Sequence, residues 1–140
     1  MLKNEADPVT PDEFVLRLIW TTHYKAAREV VLREQAFEPR SNETDGISVF
    51  RVACLAIPED ALAVMAPEKR DRYALALLPV SELLLLGLTV QPSPIKSVLG
   101  HAVLPELNIV STKADRPHWR TIQKSLAIIA SKYTLRSPLE

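Results

Sequence analysis

Residues 83–107, LLLLGLTVQPSPIKSVLGHAVLPEL, decide the fold. The stretch holds two of the three glycines and the densest apolar run of the chain. Ser81 suits an N-cap and Gly87 a left-handed stop, so 83–86 reads as one or two helical turns. Leu88-Thr89-Val90 then reads as a short strand. Pro92 and Pro94 each lack a ladder donor, so 91–94 should leave the sheet. Gly100 opens His101-Ala102-Val103-Leu104, a second strand that Pro105 ends. Four leucines are far too few to span a bilayer.

Moving outward toward the N-terminus, 73–78 (YALALL) reads as a strand stopped by Pro79, with its alanines leaving helix as the alternative. Residues 66–72 form a charged turn, and Pro58 starts a short helix reaching about Met65. Residues 47–53 alternate as a strand, and 37–46 (FEPRSNETDG) has loop chemistry. Thr22 to Gln35 contains good helix formers behind a Thr22 cap, with Glu29 and Arg33 paired at i,i+4. Thr10-Pro11-Asp12-Glu13 resembles a capping box, yet Phe14, Leu16, Leu18 and Trp20 recur at period two, which predicts a strand over 14–20. Residues 1–9 are expected to be a loose tail.

Toward the C-terminus, 108–112 is expected as a last short strand. Asp115 then caps a helix in which Trp119, Ile122, Leu126, Ile129 and Tyr133 form an apolar stripe, the first four of them buried. Arg120 and Lys124 lie on its outer side, and 134–140 should fray. Together these elements predict an α+β fold in one domain, 1–140. A mixed, largely antiparallel sheet of five or six short strands carries the C-terminal helix on one face.

Composition narrows the function classes. Seventeen basic residues balance seventeen acidic ones, which disfavours a nucleic-acid or anionic-membrane surface. One cysteine forbids an internal disulfide and fits a reducing cytoplasm. Cys54, inside VACLA, reads as a buried small hydrophobe. Three scattered histidines and one cysteine give no metal-ligand spacing, so no metal is expected. The N-terminal MLKNEADP is unlike a signal peptide.

Two residues carry the candidate chemistry. Arg17 is the only charge in its strand; it needs a partner, a cleft, or an edge position in water. His101 opens a strand after a glycine, where it can present an imidazole to a cleft or bond a loop carbonyl. The order Val15-Leu16-Arg17-Leu18-Ile19, Gln35-Ala36-Phe37, Gly46-Ile47-Ser48-Val49, Leu86-Gly87-Leu88-Thr89-Val90 and Gly100-His101-Ala102-Val103 is similar to a set of small bacterial proteins. More remotely, it resembles compact ADP-ribosyltransferase-like toxin domains of the RES type. That resemblance implies a transferase or glycohydrolase binding NAD in a sheet cleft. Arg17 would hold the pyrophosphate and Ser48 the ribose side. Glu106 would stabilise the oxocarbenium-like centre. Beside that resemblance, the strand positions of Arg17, Ser48 and His101 suggest one concave site for an anionic nucleotide, with Glu106 at its rim and His101 as a second candidate catalytic residue. Glu106 lacks a second acidic residue two positions before it. The competing expectation is a non-catalytic interaction or regulatory module of antitoxin or accessory type, whose partner is another protein.

Overall fold

The computed structural model describes residues 2–20, 24–26 and 30–133. Its strands are β1 (Phe14–Trp20), β2 (Tyr24–Ala26), β3 (Val30–Leu32), β4 (Ile47–Arg51), β5 (Tyr73–Pro79), β6 (Gln91–Pro92) and β7 (His101–Leu104). The helices are α1 (Val80–Leu85), α2 (Ile109–Ala114) and α3 (Arg116–Tyr133). Five strands form one sheet in the order β5-β1-β4-β7-β6, and every pairing is antiparallel. β2 and β3 pair separately. The fold is α+β, as the sequence predicts.

Period-two alternation divides the large sheet into two buried faces. Val15, Ile19, Ile47, Val49, Ala74, Leu78, Ala102 and Leu104 pack beneath α3. Leu16, Leu18, Phe50, Tyr73, Leu75 and Leu77 pack on the other side under Leu55, Ala61 and Val98. Ala61 belongs to a 3-10 segment, Pro58–Val64, whose proline sits at an allowed first-turn position. A sheet covered on both faces explains why β1 and β5 read as nearly continuous apolar runs.

Several expectations are corrected. The helix expected over 22–35 is replaced by β2, β3 and a 3-10 turn, Glu34–Phe37. The β-branched pair Val30-Val31 favours the extended form. The Thr22 cap and Glu29, partner of Arg33 in the expected i,i+4 pair, lie outside the described residues, as do residues 134–140. The strand expected at 88–90 falls instead at Gln91–Pro92, where an edge position accommodates a proline. The strand expected at 108–112 is α2, because the Asn108 side chain accepts a 2.8 Å hydrogen bond from the Ser111 N–H and caps a helix. β4 stops at Arg51, and Val52–Cys54 turns as 3-10.

The α3 stripe is also shifted. Gln123, Leu126, Ala127 and Ala130 are its buried residues, while Trp119, Ile122 and Ile129 are half-buried at its flanks and Tyr133 is exposed. Two alanines share the inner face with Gln123 and Leu126, and the bulkier Trp119, Ile122 and Ile129 sit to either side. Residues 2–9, which fall in the expected loose tail 1–9, are held to the sheet. The Lys3 N–H donates to the Ala53 carbonyl at 2.8 Å. Arg51 Nη1 and Nη2 donate to the carbonyls of Glu5, Asp7 and Pro8 at 3.3, 2.9 and 3.2 Å.

Candidate functional site

Arg17 sits in the middle of β1 on the α3-bearing face, and the guanidinium is enclosed, with 1 % of the residue exposed. All five of its N–H groups find acceptors. Nη1 and Nη2 grip the Glu43 carboxylate at 2.7 and 2.9 Å. Nε donates to the Ala36 carbonyl at 2.7 Å, Nη1 also to Ser48 at 3.0 Å, and Nη2 to Glu38 at 3.2 Å. Glu43 in turn accepts from the backbone N–H of Arg40 at 2.8 Å and of Ser48 at 2.6 Å. Burial alone would push the Glu43 carboxyl up. The Arg17 hydrogen bonds and charge, with the two backbone donors, outweigh it and hold the pKa at about 2.

This pair occupies an interruption in the sheet. β1 and β4 pair only at Val15–Arg51 and Leu16–Phe50. Continuing that register would bring Leu18 opposite Ser48. Instead the Ser48 N–H goes to Glu43, the Ser48 carbonyl takes Arg17, and the Leu18 carbonyl takes Arg40 Nη2 at 2.6 Å. The side chains of Arg40 and Glu43, with that of Arg17 itself, thus complete a ladder that the strands leave open.

A second buried pair repeats the arrangement. Arg51 Nε and Nη2 hold Glu13 at 2.9 and 3.0 Å, and Glu13 also accepts from the Thr10 N–H at 2.8 Å and from Lys3 Nζ at 3.2 Å. Burial again raises this carboxyl while Arg51, Thr10 and Lys3 lower it, and the pKa settles at about 2. The Thr10–Glu13 spacing read as a capping box does make the reach-back bond, in a turn that leads into a strand.

Ser48 and His101 meet at a small pocket of about 130 Å³ on the opposite face of the sheet, walled by Leu18, Phe50, Met65 and Ile95. The His101 ring lies edge-on to Phe50, with centroids 5.2 Å apart. Its Nδ1 lies 2.6 Å from the Ser93 carbonyl, which can only accept, so Nδ1 carries the proton and a neutral ring leaves Nε2 as acceptor. Gly100 positions the ring: its φ is +84°, its N–H donates to the Glu5 carboxylate, and an added Cβ would lie 2.7 Å from that of Cys54. Glu106 is elsewhere, past the far end of β7, where its carboxylate accepts from the Thr89 N–H and hydroxyl at 2.9 and 2.7 Å.

Of the four residues singled out in the sequence, then, two line one pocket. Arg17 touches Ser48 through its backbone carbonyl, and Glu106 serves a different turn. Glu43 and Glu13, which complete the two buried pairs, were missed because each lies in a stretch of turn chemistry. The one available signal was an arginine in each of two apolar strands, which requires a carboxylate from outside the strand. Cys54 is buried, and burial raises its thiol pKa. Among the described residues no helix is long and apolar enough to cross a membrane, and no cluster of His, Cys, Asp and Glu could hold a metal ion. Compared with models of protein families, with curated proteins and with solved structures, the chain matches none.

Proposed function

We propose that this chain is a non-catalytic recognition module, of regulatory or accessory type, working in the cytoplasm on another protein. The observation that carries this reading is the enclosure of Arg17. A phosphate-holding arginine must present free N–H groups to the ligand, whereas each of these donates to a protein acceptor. The pocket that Ser48 and His101 do share, about 130 Å³, is well below the roughly 300–1,000 Å³ of small-molecule sites, let alone a dinucleotide. Exposed Leu84 and Leu85 on α1 offer apolar contact area for a partner.

The test is incubation of the protein with NAD and chromatographic measurement of free nicotinamide. The expected release equals that of NAD alone. Protein-dependent release that Glu106→Gln abolishes would restore the ADP-ribosyltransferase-like reading.

A further inference from the structure

Among the described residues five polar or charged side chains are almost wholly enclosed: Glu13, Arg17, Glu43, Arg51 and Gln123. The four charged ones form the two saturated pairs. Gln123 differs: with 5 % of the residue exposed, its side-chain amide has no hydrogen-bond partner among the described residues. A primary amide carries two donors and a two-lone-pair acceptor, and native structures rarely leave such a group unmet without a reason.

Gln123 lines a cleft of about 400 Å³ between the chain at 34–39 and the helices α2 and α3. Trp119, one turn before it, is half-buried in the same wall, and Ile109 faces it from α2. Lys113 and Arg116 stand exposed at the mouth. Arg120 is tied to Glu34 at 3.1 Å, which neutralises both. Glu38 lines the cleft as well, so three cations face two carboxylates and the lining is net positive. The cleft shares no lining residue with the pocket at Ser48 and His101.

We propose that this cleft binds a small anionic ligand with a flat hydrogen-bonding edge, a nucleoside monophosphate in type. The Gln123 amide offers a coplanar donor and acceptor, the pattern with which glutamine pairs in two bonds with the edge of a base. The Trp119 ring supplies a surface on which such a base stacks. Lys113 and Arg116 take the phosphate at the mouth, where solvent screens the remaining charge. The volume lies near the lower end of the range for small-molecule sites, which suits one nucleotide rather than two. The inference is independent of the proposed function, since it needs no NAD chemistry and no named protein partner.

The experiment is calorimetric titration of the full chain with AMP, GMP, UMP, adenosine and inorganic phosphate. Tryptophan fluorescence in a Trp20→Phe background isolates Trp119. At least one monophosphate is expected to bind at submillimolar concentration and change the Trp119 emission, more tightly than adenosine or phosphate alone. Gln123→Leu should weaken that binding by about tenfold or more and raise the denaturation midpoint of the free protein. The double variant Lys113→Ala/Arg116→Ala, at exposed positions that leave the core untouched, should reduce monophosphate affinity toward that of adenosine. Three outcomes overturn the proposal: no monophosphate bound at about 5 mM, phosphate binding as well as AMP, or affinity unchanged in both variants.

Discussion

Arg17 and Gln123 are both enclosed, and the fold treats them in opposite ways. Around Arg17 five acceptors from four residues converge, and its carboxylate partner collects two further backbone donors. Around Gln123 no such shell exists among the described residues, and the side chain borders open space instead. A buried charge without partners would shift its pKa or unfold the site, so an arginine in an apolar strand must be satisfied from within. A neutral amide is cheaper to leave open, so it can wait for a partner from outside. The difference teaches that buried polarity alone does not mark a functional site in this protein; the proposed ligand cleft rests instead on polarity left unsatisfied.

The strongest way to break this comparison is to remove one half of a saturated pair. Arg17→Ala leaves Glu43 buried without its counter-charge and should cost about 3–5 kcal/mol in urea denaturation. Arg17→Met with Glu43→Leu removes both charges and should recover much of that loss. If Arg17→Ala retains wild-type stability, the pair is not structural and the arginine is available for other work.

Leu126→Ala, on the inner face of α3, should cost about 2–5 kcal/mol through the cavity it opens. Ile129→Ala at the flank should cost clearly less, and equal losses in the denaturation midpoint would show the larger side chains to be the true inner face.

Acid sharpens the account of both pairs together. Glu13 and Glu43 are held at about 2, below the ordinary 4.5. The folded chain therefore binds fewer protons than the unfolded chain in that interval. The stabilisation is complete above the ordinary value and disappears as pH falls from about 5 toward 2, on the order of 3 kcal/mol per carboxylate. Thermal melts across this range should show the decline, and Glu43→Gln should flatten it by about half. A wild-type melting temperature independent of pH between 5 and 2 would refute the assignment.

The smallest expected effect has the opposite sign. Gln123→Leu replaces an unpaired buried amide with an apolar group of similar size and should stabilise the free protein by about 1–2 kcal/mol. A loss of stability would mean that the amide is satisfied internally.

Much of the sheet was legible in the sequence. Residues 14–20, 47–51, 73–79 and 101–104 alternate or run apolar between breakers, and each is a strand. The helix over 116–133 was legible from its period and from Asp115. Around 24–32 the Ala, Arg and Glu content favours helix locally, while pairing between β2 and β3 decides otherwise. Asn108 fits either the end of a strand or the start of a helix, and only its bond to Ser111 distinguishes them. Residue size points to Trp119, Ile122, Leu126 and Ile129 as the inner face of α3, whereas the sheet takes Leu126 together with the small Ala127 and Ala130. Glu43 was invisible for a related reason: its role depends on where a loop returns in space, which no local pattern encodes.

The charge within FVLRLIW has a further consequence during synthesis. β1 lies between β5 and β4 in the sheet, yet it leaves the ribosome before either. Until those partners are made, it is an apolar strand with both edges open, the kind of segment that seeds aggregation. A guanidinium at its centre keeps such a strand from stacking with copies of itself. The same arginine that Glu43 later encloses thus acts as a gatekeeper for the nascent chain, and its neutralisation marks the moment at which the strand no longer needs one.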